Sequence, residues 1–427
     1  VWWKRTLNLS GFGLFRGAIA PPLQSLTGLD EAGIEVTPQT AAADEIWAAD
    51  LRHPLWGNAR LCARRGAEPL PADLVRFASG LTEAERERIG RDARPVLVLD
   101  VPSQAGDVLK DRKQFLRFMA AALGRDGIAG FDRLSQIFWS PDRLVDELQH
   151  DAALDIIHVH VLHVVTQPRG VWLHSHGLAE MGFVDFDVLR PAATLTSNEF
   201  DVIRAIAFLI AEGATSGLVE PVVGGDPIEL VAASAFMQSA ADQDRALRDA
   251  EWHSERRVVC CDPPSTGMLG RLLGSKTPRP SSLLSRGLVE GRHLIRFSDL
   301  ASDLSAERAR DSLPLFDRFR REFEDLHCPA LAKLAYEPDS GREGREHLWF
   351  EVHGLSADRI DATLVNQPFD IAAMKEGDRG EHAVERMTDW TIVTPIGPLT
   401  PRTLEVARGL REVRPEILKA LRSAGPA

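Results

Sequence analysis

From Asp155 to Leu189 the chain reads DIIHVHVLHVVTQPRGVWLHSHGLAEMGFVDFDVL, apolar, β-branched and rich in histidine. Ile156 to Val165 alternates as a half-buried strand does. Thr166 to Gly170 carries turn chemistry, and Val171 to His176 predicts the returning strand. Register then sets the histidine partners. If Val165 pairs with Val171 across a five-residue loop, His160 lies opposite His176 and Leu162 opposite His174, with His158 on the same face. A four-residue loop slips the pairing by one and gives His163 the face of Trp172, His174 and His176. Val184 to Leu189 predicts one more strand.

Upstream, residues 1 to about 95 show little period, apart from a strand at Gly57–Arg64 and a helix opened by Thr82 with an acidic first turn. Val96 to Val101 predicts a buried strand. Lys110 to Leu123 predicts a helix burying Phe115, Leu116, Met119 and Leu123. Gly127 to Trp139 reads as a strand, and Ser140-Pro141 caps a helix with Leu144, Val145 and Leu148 as its apolar side. Thr196 to Ala211 predicts a helix capped by Ser197 or Asn198, burying Phe200, Ile203, Ile206, Ala207 and Ile210.

Downstream, Leu313 to Leu326 predicts an amphipathic helix with Leu315, Phe316, Phe319 and Phe323 on one face. Strands follow at Leu331–Tyr336, His347–His353, Ile360–Val365 and Thr391–Val393, and Arg402 to Arg422 predicts a last helix. This pattern predicts an α+β protein. Residues 1–255 form an α+β sheet domain with helices on one face. The Pro-, Gly- and Ser-rich stretch within 256–290 is a linker, and residues 291–427 form a small β-rich, partly open barrel-like domain with flanking helices. Gly270 to Thr277 has some likeness to a phosphate-binding loop, but the spacing is one residue short and Pro278 and Pro280 block the helix such a loop opens.

Composition narrows the class. At 427 residues, 44% hydrophobic and 26% charged, the chain is an ordinary globular protein too long for one core. A formal net charge of −12 argues against a sequence-independent grip on nucleic acid. No apolar run is long enough to span a bilayer. Arg16 interrupts the apolar N-terminal stretch, so a cytoplasmic protein is expected. Cys62 and Cys328 stand alone and Cys260-Cys261 are adjacent, which suits neither a disulfide framework nor a zinc knuckle.

Two groups of residues are candidates for chemistry. His158, His160, His174 and His176 would share a divalent metal if the hairpin brings them together, with Glu180, Asp185 and Asp187 as oxygen ligands; the competing reading is histidines bonded to neighbours in a half-exposed sheet. Trp349, Glu351, Asn366, Asp389 and Trp390 combine flat aromatics with polar atoms, as recognition grooves do; the competing reading puts both tryptophans in the core, with Asp389 accepting backbone N–H groups. Motifs of known hydrolases are missing.

The C-terminal residues also carry a resemblance. Glu346 to Val352 (EHLWFEV), Arg359 to Pro368 (RIDATLVNQP), Lys375 to Asp378 (KEGD) and Thr388 to Trp390 (TDW) resemble the YegJ-like family called domain of unknown function 2314. The central WLHSHGL and MGFVDFDVL resemble a second bacterial family of unknown function, numbered 4026. The resemblance implies a β-rich C-terminal domain on an α+β N-terminal one, among bacterial proteins of the immunity and interaction kind; it implies no established activity, substrate or cofactor, and no cofactor is predicted. The reading is a cytoplasmic, non-catalytic binding protein with an unidentified protein partner. The alternative is a metal-dependent hydrolase built on His158, His160, His174 and His176.

Overall fold

A computed structural model describes residues 8–76, 78, 81–103, 108–167, 170–191, 194–222, 226–239, 256–263, 277–286, 288, 295, 299–341 and 345–424. Among the described residues the architecture is α+β, with three open sheets. The helices are α1 (Thr27–Glu31), α2 (Ala72–Arg76), α3 (Glu83–Asp92), α4 (Val108–Leu123), α5 (Pro141–Leu148), α6 (Ser197–Ala211), α7 (Ala233–Ser239), α8 (Asp299–Asp311), α9 (Leu313–Glu322) and α10 (Glu405–Ala424). Described residues within Val1–Ser79, Arg88–Trp139 and Ile156–Ser298 form one compact unit. Those within Gly80–Glu87, Ser140–Asp155 and Asp299–Ala427 form a second.

The first unit holds two sheets. One is antiparallel throughout, built from β1 (Asn8–Arg16), β2 (Glu35–Gln39), β3 (Glu45–His53), β4 (Gly57–Arg64), β5 (Ala93–Pro102), β6 (Ala129–Asp132) and β7 (Ile137–Trp139), in the order β2-β3-β4-β5-β1-β6-β7. The stretch Gly127 to Trp139 is therefore two strands. Asp132 accepts the Leu134 and Ser135 N–H groups, and Gln136 turns at φ 57°; an Asp side chain that bonds the backbone two residues on favours a turn over a continuous strand. Strand β1 is central, although its sequence, NLSGFGLFR, carries two glycines. A Cβ at Gly11 would stand 2.6 Å from the Phe115 ring and 2.7 Å from the Phe131 carbonyl. Glycine is required there because α4 packs directly over the strand. As the spacing predicted, α4 buries Phe115, Leu116, Met119 and Leu123.

The second sheet joins β8 (Val161–Gln167), β9 (Gly170–His176), β10 (Asp185–Leu189), β11 (Gly217–Val219), β12 (Ile228–Ala232) and β13 (Arg257–Cys261) in the order β11-β12-β13-β10-β9-β8. Two expectations change here. The strand predicted from Ile156 starts at Val161, because Ile156–His158 closes a tight turn with the Val159 N–H on the Ile156 carbonyl. Arg257–Cys261, inside the stretch read as a linker, is an inner strand whose five residues are all buried. Residues 264–276 of that stretch, with most of the loop at Gly270 to Thr277, lie outside the described residues. Helix α6 has the predicted extent but is capped by Thr196, whose hydroxyl and Glu199 form a capping box, and Phe200 faces solvent.

The second unit is built on β14 (Ala330–Tyr336), β15 (Glu346–Leu355), β16 (Arg359–Leu364), β17 (Arg379–Ala383), β18 (Met387–Thr394) and β19 (Gly397–Leu399). They run antiparallel in the order β17-β16-β15-β14-β18-β19. This sheet is open, with β17 and β19 as edges, so the barrel-like expectation does not hold. Alternation along β15 buries Leu348, Phe350 and Val352 against Leu315, Phe316, Phe319 and Phe323, the face predicted for α9.

Helix α5 joins this unit through charge. Ser140 caps it as predicted, accepting the Arg143 N–H, but its buried face is Arg143, Leu144 and Glu147, while Val145 is exposed. The reason is Arg308 of α8, which is 2% exposed. It grips both Glu147 oxygens at 2.9 and 2.6 Å and donates to the carbonyls of Pro401 and Ala153. Breaking a buried pair on one side strands the other charge, at about 3–5 kcal/mol. Glu147→Ala should therefore lower the stability of the full chain by an amount of this order in urea unfolding, whereas Asp361→Asn at a solvent-exposed pair should leave it nearly unchanged. Equal small effects of the two substitutions would remove Arg308 from its structural role.

Candidate functional site

The histidine hairpin adopts the slipped register. Val165 pairs with Trp172, His163 with His174 and Val161 with His176. On the next strand Asp187 pairs with His174 and Leu189 with Trp172, and on the strand beyond Arg257 pairs with Asp185 and Val259 with Asp187. One face of four adjacent strands thus carries His163, His174, His176, Asp185, Asp187 and Arg257. Farther along the same face, Trp172, Leu189, Val259 and Cys261 pack with Ala233 and Phe236 of α7.

The rings touch. His163 and His174 stack at 5.1 Å with planes 7° apart, and His176 stands edge-on to both at 5.0 and 4.9 Å. Trp172 leans on His174 at 4.5 Å and donates its indole N–H to Asp187 Oδ1 at 2.8 Å. Arg257 forks onto Asp187 through Nε at 3.0 Å and Nη2 at 2.8 Å, and gives Nη1 to the Ser175 carbonyl. Asp185 accepts the Ser175 hydroxyl at 3.0 Å and the Leu178 N–H at 3.2 Å. Gly177, at φ 118°, ends the strand where a Cβ would stand 2.7 Å from the Val159 carbonyl and 3.1 Å from the His160 Cα.

Both carboxylates are fully buried. Burial pushes the Asp185 pKa up to about 7 against the pull of Arg257. It also raises Asp187, against the hydrogen bond from the same guanidinium. Burial raises Cys260 and takes Cys261 to about 12, so neither is a thiolate near neutrality.

His158 and His160 do not join this face. They lie in and just after the tight turn; His158 meets the Trp139 ring at 5.9 Å, and His160 Nδ1 bonds the Ile156 carbonyl at 2.8 Å. Glu180 is exposed. Among the described residues, no group of three or more His, Cys, Asp or Glu side chains is arranged to hold a metal ion. His163 enters only through the slipped register, and Arg257 gives no signal in the sequence because its strand lies in linker-like composition.

The C-terminal candidates divide between the two faces of the third sheet. Trp390 is fully buried, packs on Phe316 at 5.1 Å and donates its indole N–H to Ser312 at 2.9 Å. Trp349 is half-buried on the opposite face. Lys333 pairs across the strands with both Trp349 and Asp389, so the three form a row. The Lys333 ammonium lies 5.4 Å from the Trp349 ring centre, and Asp389 accepts Arg402 at 2.6 Å. Asp389 also accepts the Trp390 N–H, as the structural reading of that residue expected. Asn366 accepts the Trp349 N–H at 2.8 Å, fixing the loop that follows β16. Glu351 is exposed beside the row, and Val365 and Val393 leave 38% and 48% of their surface open on the same face. Lys333 and Arg402 carry no motif that would single them out in the sequence.

Residues 302–408 match the family described as an uncharacterized protein conserved in bacteria, DUF2314. The matched stretch holds the whole of the third sheet. No curated protein and no solved structure matches the chain.

Two measurements test these assignments. Trp390→Ala should cost about 3–5 kcal/mol in chemical unfolding, as truncation of a core aromatic does, and Trp349→Ala clearly less; equal costs would contradict the two-faced placement. Asp187→Leu should strand the Arg257 charge and destabilise by roughly 3–5 kcal/mol, while the double variant Asp187→Leu with Arg257→Met should recover much of the loss. A double variant as unstable as the single one would mean that charge pairing is not what Asp187 contributes.

Proposed function

We propose that this chain is a cytoplasmic, non-catalytic binding protein, YegJ-like in its C-terminal part, and that the outer face of the third sheet is its docking surface for a partner protein. The observation that carries the reading is the row Trp349–Lys333–Asp389 on a face open to solvent, with Glu351 beside it. A tryptophan backed by a lysine, and an aspartate held by Arg402, present rigid contact area with fixed charges, the composition of interface hot spots. Glu351 and Glu381 are exposed on this face, whereas Arg379 is paired to Asp361. Together with the net charge of −12, this favours a partner with a basic rim around an apolar centre. The proposed kinship of the central part with the family numbered 4026 adds no chemistry of its own.

The histidine cluster supports the same reading. Asp185 and Asp187 are fully buried, and both oxygens of Asp187 are committed to Arg257 and Trp172. Such groups hold a sheet together rather than meet a substrate.

Affinity purification of the full chain from its own cells, with quantitative mass spectrometry, tests the proposal. Wild-type protein should retain a partner that both Trp349→Ala and Glu351→Lys lose at an unchanged melting temperature. The same retained proteins with wild type and both variants would refute this surface. Elemental analysis after dialysis should find no stoichiometric transition metal; zinc, manganese or iron lost on the double substitution His174→Ala, His176→Ala would move the protein to the hydrolase reading.

A further inference from the structure

Strand β8 is an edge strand that pairs only with β9. Its backbone directions follow from the register. The Val171 carbonyl accepts the Arg190 N–H at 2.7 Å, on the side of β9 away from β8. Val171 stands opposite Thr166. In an antiparallel ladder the N–H and C=O of a residue point to the same side, and pairs that bond alternate with pairs that do not. Thr166 therefore turns its peptide groups out of the sheet, and by alternation Val164 and Leu162 do the same.

Among the described residues, the other five sheet edges carry devices against pairing. Strand β2 opens with Glu35 and contains Pro38. Strands β7, β11 and β19 have three residues each, and β19 has Pro398. Strand β17 carries Arg379 and Glu381. Strand β8 runs for seven residues, VLHVVTQ, with no proline and no Asp, Glu, Lys or Arg. On its outward-bonding row Leu162 is half-buried, Val164 is 65% exposed and Thr166 is exposed.

We propose that β8 is a self-association edge, which joins a second copy of this chain in an antiparallel ladder with its two-fold axis at Val164. An open row of N–H and C=O groups is met by another extended strand. An axis at Val164 sets Val164 opposite its own counterpart and Leu162 opposite the counterpart of Thr166, so each open residue meets another. An axis at His163 leaves Thr166 facing a residue before the strand, and one at Val165 leaves Leu162 facing a residue after it. Opposed β-branched side chains favour the pairing. Charge selects the occupant as well. A net charge of −12 sets two copies against each other over most of their surface, and like charges directly opposite weaken a ladder; β8 brings none. A strand from another protein is chosen by side-chain pockets and charges, and the outward row has no charge to choose with. The two-fold ladder uses up the edge in both copies, so association closes at the dimer.

Sedimentation of the full chain over a concentration series tests the proposal. Wild type should sediment at twice the monomer mass and dissociate on dilution. Val164→Lys sets like charges opposite each other across the axis and should raise the dissociation midpoint by roughly tenfold or more. Thr166→Pro removes an N–H that makes no ladder bond within the chain, and should weaken the dimer with the circular dichroism unchanged. Leu218→Lys, at a 62% exposed position on the opposite edge of the same sheet, should associate as wild type does. Register has its own readout. With an added oxidant, Val164→Cys should form an intermolecular disulfide, because opposed residues bring their Cα atoms within disulfide reach, and Leu218→Cys should not. A folded wild type that stays monomeric throughout the series overturns the proposal and leaves the edge to a foreign strand. Association of Val164→Lys and Thr166→Pro at wild-type strength overturns it too, as does a Val164→Cys chain that cross-links no more than Leu218→Cys.

Discussion

A guanidinium shut away from water needs oxygens on every side, and Arg308 finds them in Glu147, Pro401 and Ala153. These partners come from distant parts of the chain. The pairing therefore brings a segment from mid-sequence, residues 140–155, into the unit otherwise made by Asp299–Ala427. Asp146, the residue before Glu147, repeats the device by pairing with Arg408. Burial takes its pKa up to about 6 in spite of that arginine, a sign of how far the carboxylate has been withdrawn from solvent. The sheet that follows α9 packs chiefly through apolar contact, from Leu315, Phe316 and Phe319 of that helix and Phe323 just beyond it.

The same pairing explains where the sequence was readable. Elements whose interior face is apolar were visible from period alone: α4, α9, β4, β15 and the body of α6. Helix α5 is legible as a helix, through Ser140 and Pro141, but period places Val145 on its buried side where the structure places Arg143 and Glu147. Hydrophobic period assumes that the core is apolar, and here the core contact of the helix is a carboxylate. Strand β1 failed for a different reason. Its glycines mark a place where helix and sheet approach closely, and in a sequence they look like loop. Strand β17 has almost no apolar residues, because an edge strand buries so little of itself.

The histidine hairpin marks the limit of pattern reading. Both alternating sets of β8 are apolar, so either register buries a comparable surface, and hydrophobic pattern has no power to choose between them. What distinguishes the observed one is side-chain chemistry across strands. It sets Val165 beside Trp172 in the apolar cluster, stacks His163 on His174, and leaves Val164 65% exposed. None of these consequences is local in sequence. Arg257, which closes the network, lies 70 residues from the Asp187 it grips. The C-terminal candidates were more legible, because β15 alternates cleanly and separates Trp349 from the core by position alone. Only Trp390, one residue out of phase with Asp389, fell on the side away from the proposed surface.

These two polar clusters differ in what their charges can still do. In the second sheet, Asp187 has its oxygens filled by Arg257 and Trp172, and both carboxylates sit at zero exposure. A network in that state resists change, because loosening any member leaves another charge unmet in a medium of low polarity. On the third sheet, Lys333, Trp349 and Glu351 stand at the surface, with their geometry set by cross-strand pairing but their outer atoms in water. Burying such groups against a partner costs little ordering entropy, since the rigid sheet has already restricted them. Filled valences in one place and prepared, solvated ones in the other are the contrast on which the proposed docking surface rests.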